Sequence, residues 1–407
     1  MIARLPLSLA FVALLAIGIV GGGTFGGATL FAQSGNDAPS NDGGSDAGSA
    51  DAESGPSEDA AAGEDGSAAE GSGEDILTEA QREMRRRVNA VVAQGLAFLA
   101  ANQDPSTGGF YDQNRRGYGV AVTGLAGLAM LAGGNTPDRG LYGPNVRRAI
   151  DYLLGAQGDR GYISIEGDNS RIHGHGYATL FLAQVLGMLG DEDLQEAVRR
   201  AVGNAVRVIE GSQTRDGGWG YTPTDQTFDE GSTTVAMIQA LRAARDAGIG
   251  VSRQVVDEAV RYMHRSALSQ PYTDKDGNQN TGYVFAYSLQ MRNFRSSFPL
   301  VAAGVSVLQG SGRYEGEVLR GALGYLDALF NGYIDYPSDP WSPSTTWFYY
   351  AHLYASQSMF HAPDQRYWDD YFPKIRESLL ENVRRDEIRQ NGQRRPVAYW
   401  VSGSYGN

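Results

Sequence analysis

Cysteine is absent from the 407 residues. That excludes disulfides, thiolate metal sites, cysteine nucleophiles and lipid attachment through a thiol. Histidine is scarce, limited to His173, His175, His264, His352 and His361. Basic residues number 34 against 47 acidic ones, a net charge of −13, so the chain lacks the basic stripe that nucleic-acid binding requires. Glycine, in contrast, is abundant, with 54 residues.

The negative charge is concentrated. Residues 34–75 hold twelve Asp or Glu and no Lys or Arg, whereas residues 76–407 hold 35 acidic and 33 basic residues. Gly, Ser, Ala, Asp and Glu make up nearly all of the acidic stretch, which has too little apolar surface to offset chain entropy. Residues 33–76 are therefore expected to be a disordered, self-repelling linker. Ahead of it, Arg4 precedes an apolar and small-residue run from Leu5 to Val20. Gly21–Gly27 then breaks the run, and Ala28 and Ala32 are cleavage candidates. Residues 1–32 read as a signal peptide or, if uncleaved, as an N-terminal membrane anchor. Both readings export the remainder to a periplasmic, cell-envelope or extracellular location. Without disulfides, residues 77–407 must be held by their core alone.

That region repeats. GLAFLAANQDPSTGGFYD, RRAIDYLLGAQGDRGYIS and NAVRVIEGSQTRDGGWGYTP each join an amphipathic helix, a Gln and a Gly-aromatic turn. Gln103, Gln157 and Gln213 lie 54 and 56 residues apart. Later copies are degraded: one carries an insertion before Tyr283, and another has lost its Gln. Almost wholly apolar helices follow the turns, from Val120, Gly174, Ser232, Ser296 and Ser344. Amphipathic helices start near Thr78, Pro144, Asp191, Val251, Gly312 and Trp368, the first with a capping box from Thr78 to Gln81. No segment of strand period competes with this helical reading. Alternation of the two helix types predicts an inner and an outer layer. DKDGNQN at 274–280 is read as an Asp/Asn/Gly turn, because it lacks the glycine and glutamate spacing of a calcium loop.

The Gln-to-Gly-aromatic turns, the period and the HGYATL and STTVAMIQAL helix starts resemble the squalene-cyclase and prenyltransferase repeat family, over roughly residues 80–407, and within it secreted bacterial members. The resemblance implies an all-α fold, an α/α toroid of the α6/α6 type. It gives Gln103, Gln157, Gln213 and Trp219 a structural role in tying helices together. Six outer but only five inner helices are visible in the sequence, so a gap or exposed apolar seam is expected between the first and last repeats.

In such a toroid the inner-helix N-termini form a cavity rim, where helix dipoles and unpaired N–H groups meet a ligand. The rim is expected to carry His173, His175, Tyr177, Asp229, Glu230, Arg295, Asp339, Trp341 and Trp347. Family cyclases protonate an alkene with an Asp-x-Asp-Asp motif, which this chain lacks; FDEGSTTVA stands at the corresponding helix start. Asp229, Glu230 and His175 are the candidate catalytic residues, and a helix-cap role for Glu230 is the alternative. The family's zinc set needs the missing cysteine. His173 and His175 with Asp229 could bind a metal, but hydrogen-bonded rim histidines are the reading adopted, with no metal and no cofactor. The aromatic run Trp341, Trp347, Phe348, Tyr349, Tyr350 and Tyr354 suits core packing, or an apolar or sugar ligand. The expected function is binding of an isoprenoid or other apolar ligand, or of a protein partner, without the family's activities. The alternative is an enzyme with cyclase-like acid chemistry, or one that cleaves polysaccharide with Asp229 and Asp339.

Overall fold

The structure is a computed structural model that describes residues 78–111, 117–291, 297–390 and 392–401. The expected export segment and linker, and Arg295, lie outside the described residues. Among those residues no helix is long and apolar enough to cross a membrane.

The chain is mostly helical. An amphipathic set comprises α1 (Glu79–Asn102), α3 (Gly143–Gly155), α5 (Glu192–Gly211), α7 (Arg253–Ser266), α9 (Glu317–Phe330) and α11 (Arg366–Glu381). An apolar set alternates with it: α2 (Gly119–Ala132), α4 (Arg171–Val185), α6 (Gly231–Asp246), α8 (Phe298–Gly310) and α10 (Phe348–Phe360). Every residue of α2 is buried, and all but one of α8, whereas α5 buries only the stripe Val198, Ala201, Val202, Ala205, Val206 and Ile209. Each apolar helix packs on the next, α2 on α4, α4 on α6, α6 on α8 and α8 on α10, and each also packs on the amphipathic helix that follows it. Thr78 caps α1 reciprocally with Gln81, through bonds of 3.2 and 2.8 Å.

The turns carry a repeated clamp. Gln103 Nε2 donates to Gly108 O and to Asn145 O of α3, at 2.8 and 2.9 Å. Gln157 Nε2 donates to Gly161 O and Ala201 O of α5, and Gln213 Nε2 to Gly217 O and Val255 O of α7, all between 2.8 and 3.0 Å. In each turn one amide side chain thus ties a turn carbonyl to the next amphipathic helix, satisfying two buried acceptors. Gly108, Gly161 and Gly217 all have left-handed φ, between +79° and +89°, and each abuts a backbone carbonyl of that same helix. Trp219 is fully buried and donates from Nε1 to Ile209 O of the preceding helix at 2.8 Å.

Two antiparallel hairpins depart from the all-α expectation. The first pairs β1 (Ala267–Thr273) with β2 (Gln279–Phe285) and packs on α8 and α9. It is the insertion before Tyr283, and DKDGNQN forms its turn. Asp274 accepts from Asp276 N and Asn278 N, both at 2.9 Å, and Gly277 takes φ +82°. The second pairs β3 (Arg384–Gln390) with β4 (Gln393–Tyr399). It also corrects the expected seam. β4 packs on α1, the Phe98 and Tyr399 rings stack at 5.1 Å, and Trp400 is fully buried with Nε1 donating to Leu379 O at 2.8 Å. Among the described residues there is no sixth apolar helix, and the hairpin covers the first amphipathic helix.

Candidate functional site

The first turns of the apolar helices have N–H groups with no partner inside their own helix. In each of α2, α4, α6 and α8 one is satisfied by the segment leading into the next apolar helix. Val120 N donates to Asp168 Oδ2 at 2.7 Å, Ile172 N to Tyr221 O at 3.2 Å, Gly231 N to Tyr287 O at 3.1 Å and Phe298 N to Tyr336 Oη at 3.4 Å. These bonds draw the starts of α2, α4, α6 and α8 together, and the polar residues that matter most lie there.

Glu230 caps α6 from an extended backbone, and its side chain is buried. The carboxylate accepts from Thr233 N at 3.2 Å and from the Ser232 hydroxyl. Ser232 Oγ in turn lies 2.9 Å from His173 Nε2 on α4. Burial raises the Glu230 pKa to about 7, opposed by the bonds from Ser232 and Thr233 and aided by the nearby Asp229 charge. Burial lowers His173 to about 4, so the imidazole is neutral at physiological pH. The three groups form one hydrogen-bonded line from a buried acid to a half-buried ring.

Tyrosines surround the acid. The charge of Glu230 acts on Tyr177, Tyr221, Tyr262, Tyr287, Tyr350 and Tyr354, each of which burial already holds above the ordinary phenol range. Tyr221 and Tyr287 share a hydroxyl contact, and Tyr221 stacks on Phe228 at 5.6 Å. Tyr177 Oη and Tyr354 Oη are 3.0 Å apart, joining α4 to α10, and Gln239 of α6 donates to Gln357 of α10 at 2.6 Å. The Tyr350 hydroxyl is buried, with no hydrogen bond of full geometry, and Ser232 is its polar neighbour.

Two further observations mark these helix ends. Arg171 and Trp347 are the non-glycine residues with left-handed φ among the described residues, at +52° and +65°. One opens α4 and the other precedes α10. Such conformations are strained for L-residues and concentrate at functional sites. Exposed apolar side chains stand at the same ends: Tyr118 precedes α2 and is 37% exposed, and Trp347 is 47% exposed.

The other expected rim residues are placed elsewhere or used differently. His175 corrects the rim expectation. Its Nδ1 accepts from Ile163 N at 3.1 Å and its Nε2 donates to Ala205 O of α5 at 3.2 Å, so the buried ring points toward the amphipathic layer. Two positions along a helix is about 200° of rotation, which sends His173 and His175 to opposite sides. Asp229 is buried but pinned to the loop before α8, accepting from Leu289 N at 3.3 Å and from Gln290 Nε2 at 2.5 Å. Asp339 is exposed and accepts from Trp341 N at 2.9 Å within its own turn. Trp341 also departs from the rim. It packs between Phe330, His352 and Tyr371, with ring centroids 5.2–5.8 Å away, and Lys374 Nζ lies 5.9 Å from its ring. Ser232 carries no site assignment in the sequence, and Tyr350 enters there only as one of the α10 aromatic run. The S-T-T start of α6 was the available signal for the first, and a tyrosine of the α10 aromatic run for the second. Among the described residues no cluster of three His, Asp or Glu has a metal-binding arrangement.

No family model matches the chain, and no curated protein does. Solved structures of two variants of the type II terpene cyclase MstE from Scytonema are similar in part. One is in complex with merosterolic acid A as product, with 18% identity and a TM-score of 0.37, and the other with geranylgeranyl dihydroxybenzoate as substrate, with 17% identity and a TM-score of 0.36. The matches cover 59% of this chain and 63% and 62% of those chains, less than two thirds of their length.

Proposed function

We propose that this chain is an exported α/α toroid of the squalene-cyclase and prenyltransferase repeat type. In this reading it binds an apolar ligand where the apolar helices begin, and has lost the acid and zinc chemistries of that family. The alternation of six amphipathic with five apolar helices supports the toroid. The export segment from Arg4 to Val20 supports the location. The observation that carries the binding role is the buried Glu230 carboxyl amid six tyrosines at the start of α6, with Tyr118 and Trp347 exposed at the starts of α2 and α10. The bonds from Tyr177 to Tyr354 and from Gln239 to Gln357 cross between helices that are not neighbours in the apolar series. A long isoprenoid has no straight passage past them, so its apolar body lies at the mouth and its polar head reaches inward to Tyr350 or Glu230. A protein segment with an exposed aromatic or aliphatic side chain is the competing occupant.

The test is titration of the purified chain with a polyprenyl alcohol, followed by tryptophan fluorescence. Saturable binding is expected, weakened tenfold or more by Trp347→Ala, which is roughly 1.4 kcal/mol. Absence of saturable binding to the native chain would remove this reading.

One observation favours a second reading. A carboxyl with a pKa of about 7 is partly protonated at neutral pH, and alkene protonation needs such an acid in an apolar setting. In that case the chain converts a polyprene to a cyclic product, and Glu230→Gln abolishes the conversion while the fold persists. Incubation with linear polyprenes and mass analysis of the products separates the two readings.

A further inference from the structure

The second hairpin is unusually rich in arginine. Arg384, Arg385, Arg389, Arg394 and Arg395 stand against only Asp386 and Glu387. Strand alternation puts Arg385, Glu387 and Arg389 on one face of β3, and the register sets Arg389 directly opposite Arg394 on β4. Like charges in that position destabilise a hairpin. Glu387 offsets part of this by pairing with Arg394 at 3.3 Å. Arg384, Arg385, Arg389 and Arg395 form no ion pair among the described residues, and the first three are exposed. The face thus presents guanidinium forks suited to carboxylates.

The chain carries the complementary polymer. Residues 34–75 contain twelve carboxylates and no cation, while residues 76–407 come to a net charge of only −2. The attachment point is favourable. Asp75 lies four residues before Glu79, the start of α1, and β4 packs on α1 with Tyr399 stacked on Phe98. Glu79 to Phe98 is roughly 28 Å along a helix rising 1.5 Å per residue. A Gly- and Ser-rich chain of about 30 residues has a root-mean-square span of about 30 Å. Tethered binding is strongest when the span and the linker match in this way, at effective concentrations in the millimolar range.

We propose that the β3–β4 hairpin is the docking surface for the chain's own acidic segment, with the carboxylates between Asp46 and Asp65 seated on Arg385, Arg389 and Arg394. The contact is electrostatic, cancels the arginine repulsion across the hairpin, and loosens with salt.

The absence of cysteine makes the test clean. Ser45→Cys and Gln393→Cys place two dyes, one on the acidic segment and one on the hairpin, and energy transfer is followed while NaCl rises from about 20 mM to about 500 mM, which shortens the screening length several-fold. The docked chain gives high transfer that falls as salt releases the segment. The variant Arg385→Glu, Arg389→Glu, Arg394→Glu starts low and rises with salt, because a free polyanion contracts when screened. A second variant keeps the folded part native and replaces the seven carboxylates from Asp46 to Asp65 by their amides. It is expected to show low transfer with little salt dependence. Transfer in the native chain that rises with salt, or that neither variant changes, overturns the proposal.

Discussion

At the scale of the residue, the structure rests on positions that serve two neighbours at once. Gly217 supplies a left-handed turn and lets the backbone approach α7; a Cβ there would meet Glu258 O at 2.4 Å. Gly217→Ala is therefore expected to cost roughly 2–4 kcal/mol, from the strained φ and the backbone contact together. The urea midpoint measures it, and an unchanged midpoint would mean that the turn relaxes freely. Glu230 makes a different demand, with a definite sign. Its folded pKa is about 7 against an ordinary 4.5, so the folded state holds a proton that the unfolded chain releases between those values. Stability contributed by this group is present below pH 4.5 and is lost as pH rises to about 7, by roughly 3 kcal/mol. Buried His173, His175 and His352, each lowered to about 4, act in the opposite sense: they remove stability as pH falls from about 6.5 toward 4. Comparing the native chain with Glu230→Gln cancels the histidines. The difference in unfolding free energy should move in favour of the variant as pH climbs from 4.5 to 7, then level off. A difference that is flat with pH would show that Glu230 is ionised at its ordinary value.

At the scale of the element, the sequence was legible where structure is local. Helix type follows from the apolar period, and the turns follow from Gln, Gly and aromatic residues within a short window. The start of α10 was less legible: the helix begins at Phe348 and not at Ser344, because Thr345 Oγ1 bonds Asp339 O and Trp347 turns left-handed. The hairpins were missed although each carries a short turn signal, Asp276-Gly277 in one and Asn391-Gly392 in the other. Their strands are largely polar, and those of the second are arginine-rich, so strand alternation is masked. The side to which His175 points, and the contact of His173 with Ser232 fifty-nine residues away, depend on how two repeats pack, which no local pattern records. The second hairpin gives a sharp test of its covering role. Trp400 is fully buried against α11, beside the strand that packs on α1. Trp400→Ala should destabilise the chain by about 3–5 kcal/mol and raise amide exchange in α1 before the other helices. Uniform exchange, or a loss below about 1 kcal/mol, would show that the first helix stands without the hairpin.

At the scale of the whole molecule, the apolar helices form a continuous series, and the buried Glu230 carboxyl lies at the start of one of them. Bonds handed from each helix start to the next turn hold Glu230, Ser232 and His173 beside a tyrosine cluster, and the strained Arg171 opens the helix that carries His173. The central claim is that this end of the molecule holds an apolar ligand. Native mass spectrometry of the chain taken from its natural source, with organic extraction of whatever accompanies it, tests that claim most directly. The account predicts a defined added mass that extracts as an apolar molecule and is depleted in Trp347→Ala. A chain that carries no added mass from its natural source, in both native and variant forms, would contradict it.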